Sequence, residues 1–314
     1  MSTIAVLGPG GVGGFLAATL TRSGEQVVVV ARDATARVIA SSGITVHSVR
    51  MGEFTAHPGT TTLLNTEVDF LLIATKANAL EGALGRIESD PDLVVPLLNG
   101  LDHMDRLRRR FGAGRVAAGV IRIESDRPAP GQIWQTSPAF LVDLATDDPT
   151  LRSAVQRLAA TLQNAGFEVR IGSSEAQILW SKLVRLNALA CTTSAADRPI
   201  GLIRRDPQWR ATLARCIAET AAVANADGAR IDPAQTLAEL DDAHAELGSS
   251  MQRDLAAGRE PELDAIAGAV LRAAARHGLS CPTVEQLRIQ VAARVRVPPP
   301  RKIPPPHELG TPQA

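Results

Sequence analysis

The run Ile4-Ala5-Val6-Leu7-Gly8-Pro9-Gly10-Gly11-Val12-Gly13-Gly14-Phe15 decides the fold. Four apolar residues, too few for a helix, lead straight into Gly-x-Gly-x-x-Gly, and a helical apolar pattern follows over 15–20. Gly8 permits the tight turn, Gly10 lets the backbone approach a pyrophosphate, and Gly13 lets the helix pack closely on the strand. The helix start at Gly11 and Val12 then offers unpaired N–H groups and a partial positive charge to phosphates. A plain strand–turn–helix whose glycines serve only geometry is the alternative. The full match in this setting, with a second strand at 26–31 ending about twenty residues on, favours a dinucleotide.

Working outward, strand candidates at 44–49, 69–75 and 93–98 alternate with helical stretches, one of them at 79–87. That alternation implies right-handed crossovers and a parallel sheet. Pro96 cannot donate to a sheet ladder, so it belongs near the end of its strand. Shorter strand-like pieces at 117–123 and 132–136 are broken by Pro128, Pro130 and Pro138. A helix at 151–164 and the strand Glu168–Ile171 would complete the sheet. From 174 to 293 the pattern is almost wholly helical, with Leu263, Ile266, Ala267, Val270 and Leu271 on one face. The expected fold is therefore α/β: a Rossmann-type doubly wound sheet domain over 1–172, followed by an all-α domain over 173–295. A proline-rich tail at 296–314 should be extended or disordered.

Composition removes several function classes. The 33 basic and 33 acidic residues cancel, leaving no excess positive charge for nucleic acid or a membrane surface. Arg106–Arg110 is a basic cluster, but in a neutral chain it reads as an exposed helix face. No apolar run reaches the ~18 residues of a membrane helix. The N-terminus has no basic region of the kind a signal peptide carries. Cys191, Cys216 and Cys281 lie far apart without Cys-x-x-Cys spacing, so they read as reduced thiols of a cytoplasmic protein. The six histidines, His47, His57, His103, His244, His277 and His307, show no metal-ligand spacing and are expected to be structural or solvated, with no metal bound. There is no tyrosine at all. Any reductase chemistry that protonates a carbonyl with a phenol is excluded.

Position 32 bears on the cofactor. A carboxylate at the end of the second strand would bind a ribose 2′-hydroxyl, but here stands Arg32, whose guanidinium can pair a 2′-phosphate. Asp33 would repel that phosphate if it pointed inward, and a solvated surface arginine is the alternative. NADPH/NADP+ is the expected cofactor. Two further strand ends carry polar residues, Thr75-Lys76 and Asn99-Gly100, where ligands of open parallel sheets bind. A solvated lysine and a simple Asn-Gly turn are the plainer explanations.

These strand-end residues join with Leu179-Trp180-Ser181-Lys182-Leu183 and with Ser249-Ser250-Met251-x-x-Asp254…Glu262. Together they resemble the ketopantoate reductase (2-dehydropantoate 2-reductase) family, over roughly 3–287. The resemblance implies that Lys182 is the catalytic acid, that Asn99 sits beside nicotinamide and lysine, and that Ser250 and Glu262 bind substrate. It implies likewise that Arg32 and Lys76 bind NADPH. The chemistry agrees: hydride transfer to a ketone develops an alkoxide, which a nearby cation must protonate or stabilise. Lys182 lies in an otherwise apolar helical segment, where a charge is costly without a partner. Glu262 can supply that partner from the first turn of a new helix. A snorkelling surface lysine and an ordinary helix-start carboxylate are the alternatives.

Three departures from the family pattern concern the substrate. The asparagines that commonly follow the lysine by four and eight residues are Leu186 and Ala190 here, and Leu247 replaces one near the serine pair. Asn187, rotated by about 100° from Leu186 on an ideal helix, remains as the substrate-binding candidate. Arg185 could recruit an anion or lower the lysine's pKa by repulsion. The expected reaction is NADPH-dependent reduction of a 2-oxo acid, 2-dehydropantoate by default, catalysed by a monomer or homodimer. A paralogous reductase of a more apolar 2-oxo acid and a non-catalytic NADP(H) sensor are the competing functions.

Overall fold

The computed structural model describes residues 1–138 and 140–295; the proline-rich tail expected at 296–314 lies outside the described residues. Five parallel strands form the central sheet: β1 (Thr3–Leu7), β2 (Gln26–Val30), β5 (Gly59–Thr61), β6 (Phe70–Ile73) and β7 (Leu93–Pro96), in the order β5-β2-β1-β6-β7. The chain runs outward from β1 to one edge and returns to build the other, so the direction reverses between β1 and β6. The carboxyl ends beside that reversal are where open α/β sheets bind ligands. Every residue of β6 and β7 is buried, as strands covered on both faces must be. Pro96 is the last residue of β7, opposite Ile73, where its missing donor is tolerated.

Two parts of the sheet differ from expectation. The strand at 44–49 does not join the parallel sheet. As β3 (Ile44–Ser48) it pairs antiparallel with β4 (Gly52–Ala56) and parallel with β10 (Gln132–Gln135), which pairs in turn with β9 (Ser125–Ala129). The reason is its alternation: Ile44 and Val46 are buried with Ile133 against α1 (Gly11–Arg22), while Thr45 and His47 face outward. Likewise Glu168–Ile171 (β12) does not complete the parallel ladder. It pairs with β11 (Leu141–Ala145), which pairs antiparallel with β8 (Ala118–Arg122). This three-stranded sheet forms no ladder with the central one: β8 packs close beside β7, and the isolated bridge from Val94 to Val116 lies just before β8. The helix expected at 79–87 is shorter, α3 (Leu80–Leu84), because Gly85 closes it. The helices α2 (Asp33–Ser42), α4 (His103–Phe111) and α5 (Arg152–Asn164) complete this part. Phe15, Phe140 and Phe167 meet edge-to-face with centroids 5.0–5.8 Å apart between α1 and the sheets.

After β12 every element is helical. The 22-residue α6 (Glu175–Ala196) begins where Ser174 accepts a hydrogen bond from the Gln177 N–H at 3.1 Å. It ends at Asp197, whose backbone is left-handed with φ 55°. Its first turn buries Ile178 in the core under the central sheet, and from Trp180 onward it forms the helical core with α8 (Pro207–Ala226). Lys182 thus stands where one core gives way to the other. The remaining helices are α7 (Ile200–Arg205), α9 (Pro233–Asp241), α10 (Ser250–Ala256), α11 (Ala269–Arg276) and α12 (Pro282–Val295). The expected stripe is present: Ile266, Ala267 and Val270 are buried, and Leu263 and Leu271 pack against them. A π-helical turn at Asp264–Gly268 interrupts it.

Candidate active site

The glycine-rich turn has the geometry its sequence demands. Gly8 sits at φ +89°, and a Cβ there would lie 2.6 Å from Thr75 Cγ2; one on Gly13 would lie 2.2 Å from the Gly8 carbonyl oxygen. At Gly10 nothing approaches within 4 Å, which leaves the backbone open on the side a pyrophosphate would occupy. Gly11 differs. Its missing Cβ makes room for the Ser125 carbonyl oxygen, 2.1 Å from that position, so its smallness serves the packing of β9. Val12 packs its side chain against the core and can offer only backbone. The buried Thr75 Oγ1 beside the turn has no hydrogen-bond partner. Arg32 is exposed at the start of α2, free of ion pairs and side-chain hydrogen bonds among the described residues, with Asp33 exposed beside it. An open Gly10, an unpartnered Thr75 hydroxyl and a free guanidinium fit a dinucleotide bearing phosphate.

Across the cleft the helical part reaches back to the strand ends. Glu262, the residue before the helical turn begins, accepts from the Ala77 N–H and from Asn99 Nδ2, each at 2.9 Å. It therefore ties the ends of β6 and β7 together. Lys76 Nζ lies 2.8 Å from the buried Asp254 carboxylate, which also takes Arg259 at 2.9 Å. Asn78 donates to Glu260 at 2.9 Å. Gly100, at φ +87°, brings its Cα against Ala265: a Cβ would sit 2.2 Å from the Ala265 carbonyl oxygen. In the Arg106–Arg110 cluster Arg106, Arg109 and Arg110 are exposed, as expected, while Arg108 is half-buried and pairs with the buried Glu175; Arg110 also donates to the Ile87 carbonyl.

Lys182 lines the adjoining hollow with Leu98, Val120, Leu179, Leu183 and Leu186. The sequence has three lysines, of which Lys302 lies outside the described residues. Lys76 is paired; Lys182 has no ion pair or side-chain hydrogen bond among the described residues. Burial, reinforced by the Arg122 guanidinium, pushes its ammonium down to about 8, against the opposing pull of Glu262 and Asp143. The repelling cation is Arg122 and not Arg185, as the sequence suggested. Arg185 is itself lowered by burial and faces Glu239.

Of the two remaining substrate candidates, one turns away from the cleft and the other stands exposed on the helix that holds Asp254. Asn187 is fully buried, donating to Thr220 Oγ1 at 3.0 Å and accepting from Cys191 Sγ at 3.3 Å. Five residues beyond Lys182, it points into the helical core, so its amide serves packing. Ser250 is exposed at the start of α10, and its hydroxyl makes no hydrogen bond among the described residues. Its neighbour Ser249 is the buried cap, accepting from the Gln252 N–H at 3.1 Å and touching Thr193 Oγ1 at 3.1 Å.

Residues unmarked in sequence stand here instead. His103 lines the cleft with Asn99 and Glu262; its Nε2 is buried without a partner, and burial pushes it down to about 4. Arg122 and Asp143 form an ion pair near Lys182. A charged residue inside the apolar strand Leu141–Ala145 was the available signal for Asp143. Among the described residues no group of three or more His, Cys, Asp or Glu could hold a metal ion. No helix there is long and apolar enough to cross a membrane. The three cysteines are free and buried, and burial pushes Cys191 up to about 12 and Cys281 up to about 11.

A parallel sheet entered by a glycine-rich turn, followed by a helix-rich region that reaches back to its strand ends, is a Rossmann-like arrangement of the kind that binds dinucleotides. Residues 4–142 match the family model described as ketopantoate reductase PanE/ApbA, and residues 176–294 match that of its C terminal. The chain belongs to the ketopantoate reductase family. It is 28% identical over 290 residues to the 2-dehydropantoate 2-reductase of Caulobacter vibrioides, covering 90% of this chain and 95% of that one. The crystal structure of 2-dehydropantoate 2-reductase from Geobacter metallireducens is similar with a TM-score of 0.85 at 28% identity, covering 93% of this chain and 99% of that one. A ternary structure of D-mandelate dehydrogenase with NADH and anilino(oxo)acetate shares the fold at a TM-score of 0.85 and 22% identity, covering 93% and 98%.

Proposed function

We propose that the chain is an NADPH-dependent reductase of a 2-oxo acid, with 2-dehydropantoate the first substrate to test and Lys182 the general acid. The sheet domain over 1–172 holds the cofactor through the turn at Gly8, Gly10 and Gly13, the N–H groups of the first α1 turn, and Arg32. The helical domain over 173–295 supplies the acid and the walls of the substrate pocket. The observation that carries this is Lys182: an unpaired ammonium in an apolar hollow at the junction of two cores, within the field of Glu262. A bound dihydronicotinamide would supply the hydride. As negative charge develops on the carbonyl oxygen, Lys182 gives it a proton and stabilises it in a water-poor setting where such contacts are strongest. Glu262 acts with Asn99 to fix the cleft, since one carboxylate spans both strand ends. Lys76, held by Asp254, orders the rim beside the cofactor. The free thiols accord with a reducing cytoplasm as the working compartment.

Leu186 favours a second reading within the same chemistry, a 2-oxo acid more apolar than 2-dehydropantoate. It lines the hollow four residues after Lys182, and a leucine there cannot hydrogen-bond a substrate hydroxyl. Comparing 2-dehydropantoate with branched and aromatic 2-oxo acids at fixed NADPH separates the two. Preference for the apolar members supports the second reading, and preference for 2-dehydropantoate the first. Tight NADPH binding without turnover of any member leaves a sensor instead.

Two outcomes are expected from the cofactor and acid assignments. Arg32→Ala weakens NADPH about tenfold and leaves NADH nearly unchanged, because only the former offers a 2′-phosphate; titration of dihydronicotinamide fluorescence measures both. Equal losses for the two cofactors would remove the assignment. Reduction also has a defined pH limb. Lys182 must be protonated to act, so the rate is level below pH 8 and declines as pH rises through the lysine's value of about 8. A rate that instead climbs across that range contradicts a lysine acid.

A further inference from the structure

We infer that Arg122 binds the carboxylate of the substrate, forming with Lys182 a two-cation recognition site for the 2-oxo acid group. This rests on the reductase reading above and names what holds the other end of its substrate. Residues Val120 and Arg122 are two apart on β8 and so face the same side. Asp143 is the register partner of Val120 on β11 and shares that face. The helix α6 covers it, and Val120 lines the hollow beside Lys182. Arg122 donates Nη1 to the Asp143 carboxylate, which fixes the guanidinium plane. Its remaining N–H groups have no protein partner among the described residues. Asp143 is only 10% exposed while Arg122 is 35% exposed, so the open edge of the pair is the arginine.

In a 2-oxo acid the carboxylate is bonded directly to the carbonyl carbon. A site that protonates the carbonyl oxygen and grips the carboxylate therefore needs two cations converging on one end of the ligand. Arginine suits the carboxylate, because its planar fork can donate two parallel bonds. Lysine suits the oxygen, because its proton can leave. The groups that face Lys182 are Arg122 on β8, Asp143 on β11, Glu262 before the π turn and His103 on α4. Glu262 is already engaged by Ala77 and Asn99, and His103 is held neutral by burial. Arg122 and Lys182 repel each other in the free protein, and an anion between them relieves that repulsion.

The test compares reduction of one 2-oxo acid with that of its uncharged 2-oxo amide, in wild type, Arg122→Gln, Arg122→Lys and the double variant Arg122→Gln/Asp143→Asn. The double variant guards against a folding defect, since it leaves no buried carboxylate unpaired. The expected result is a KM for the acid raised by roughly ten- to a hundredfold in Arg122→Gln and the double variant, with kcat changed far less. The amide's KM stays level, and Arg122→Lys recovers part of the loss. The decline of kcat/KM with pH also moves to higher pH, because the repelling charge is gone. An unchanged acid-to-amide preference, or a loss confined to kcat, overturns the assignment while leaving the reductase standing. A wild type that reduces neither compound overturns both.

Discussion

Lys182→Ala lowers kcat for 2-oxo acid reduction by about two to four orders of magnitude, the range that a positioned general acid contributes. The affinity for NADPH stays within about twofold, because Lys182 lies on the helical side, away from the glycine turn. Stability moves the other way. The folded protein holds this ammonium in an apolar hollow without an ion pair, and burial lowers its pKa relative to the unfolded chain. The fold thus carries its full penalty for the charged form below about pH 8. That penalty fades as pH rises from there toward the ordinary lysine value of 10.5, and removing the charge stabilises the fold. Lys182→Met, which keeps the volume, should melt at or above the wild-type temperature while being as inactive as the alanine variant. Activity lost without stability is the mark of a functional charge. A variant that loses both would make Lys182 structural.

Gly100→Ala is expected to be the most damaging change away from the acid itself. Its φ of +87° is a conformation that costs an L-residue about 1–2 kcal/mol. Its new Cβ would also lie 2.2 Å from the Ala265 carbonyl, a backbone atom that can move only if the π turn moves. That turn follows Glu262, which holds Asn99 and the Ala77 N–H. Displacing it by about 1 Å should cost on the order of a hundredfold in kcat. A melting temperature lowered by a few degrees accompanies the loss, at roughly 1.5 °C per kcal/mol for a chain of this length. Calorimetry and steady-state kinetics measure the two effects. Wild-type values for both would show that the Gly100–Ala265 contact carries no weight.

Four strands of the central sheet were legible because they are apolar runs ending in residues with a local signature, whereas the edge strand β5, Gly59-Thr60-Thr61, carries no apolar run and was not. Ile4–Leu7 before the glycines and Phe70–Ile73 before Thr75-Lys76 could be placed from the chain alone. The second sheet was not. Ile44–Ser48 has the β-branched content of a strand, but which neighbour it pairs with depends on β10, more than eighty residues away. Alternation revealed that one face is wet, and nothing local named its partner. The site divides in the same way. Gly8 and Gly13 adopt the tight turn and close packing that their spacing predicts. Asn99 and Glu262, singled out by the family resemblance, meet in a hydrogen bond, whereas Arg122 and Asp143 meet across an antiparallel register that no local pattern encodes. Asn187 failed because helical phase decides burial. One residue of rotation past Leu186 takes it from the cleft wall into contact with Thr220.

The central claim is a reaction, and one measurement addresses it most directly: the loss of dihydronicotinamide absorbance when the purified protein meets NADPH and a panel of 2-oxo acids from 2-dehydropantoate to branched and aromatic members. The account predicts stoichiometric NADPH oxidation matched by formation of the 2-hydroxy acid with at least one member, abolished by Lys182→Ala. Saturable NADPH binding with no oxidation across the panel, by protein of intact fold, would contradict it.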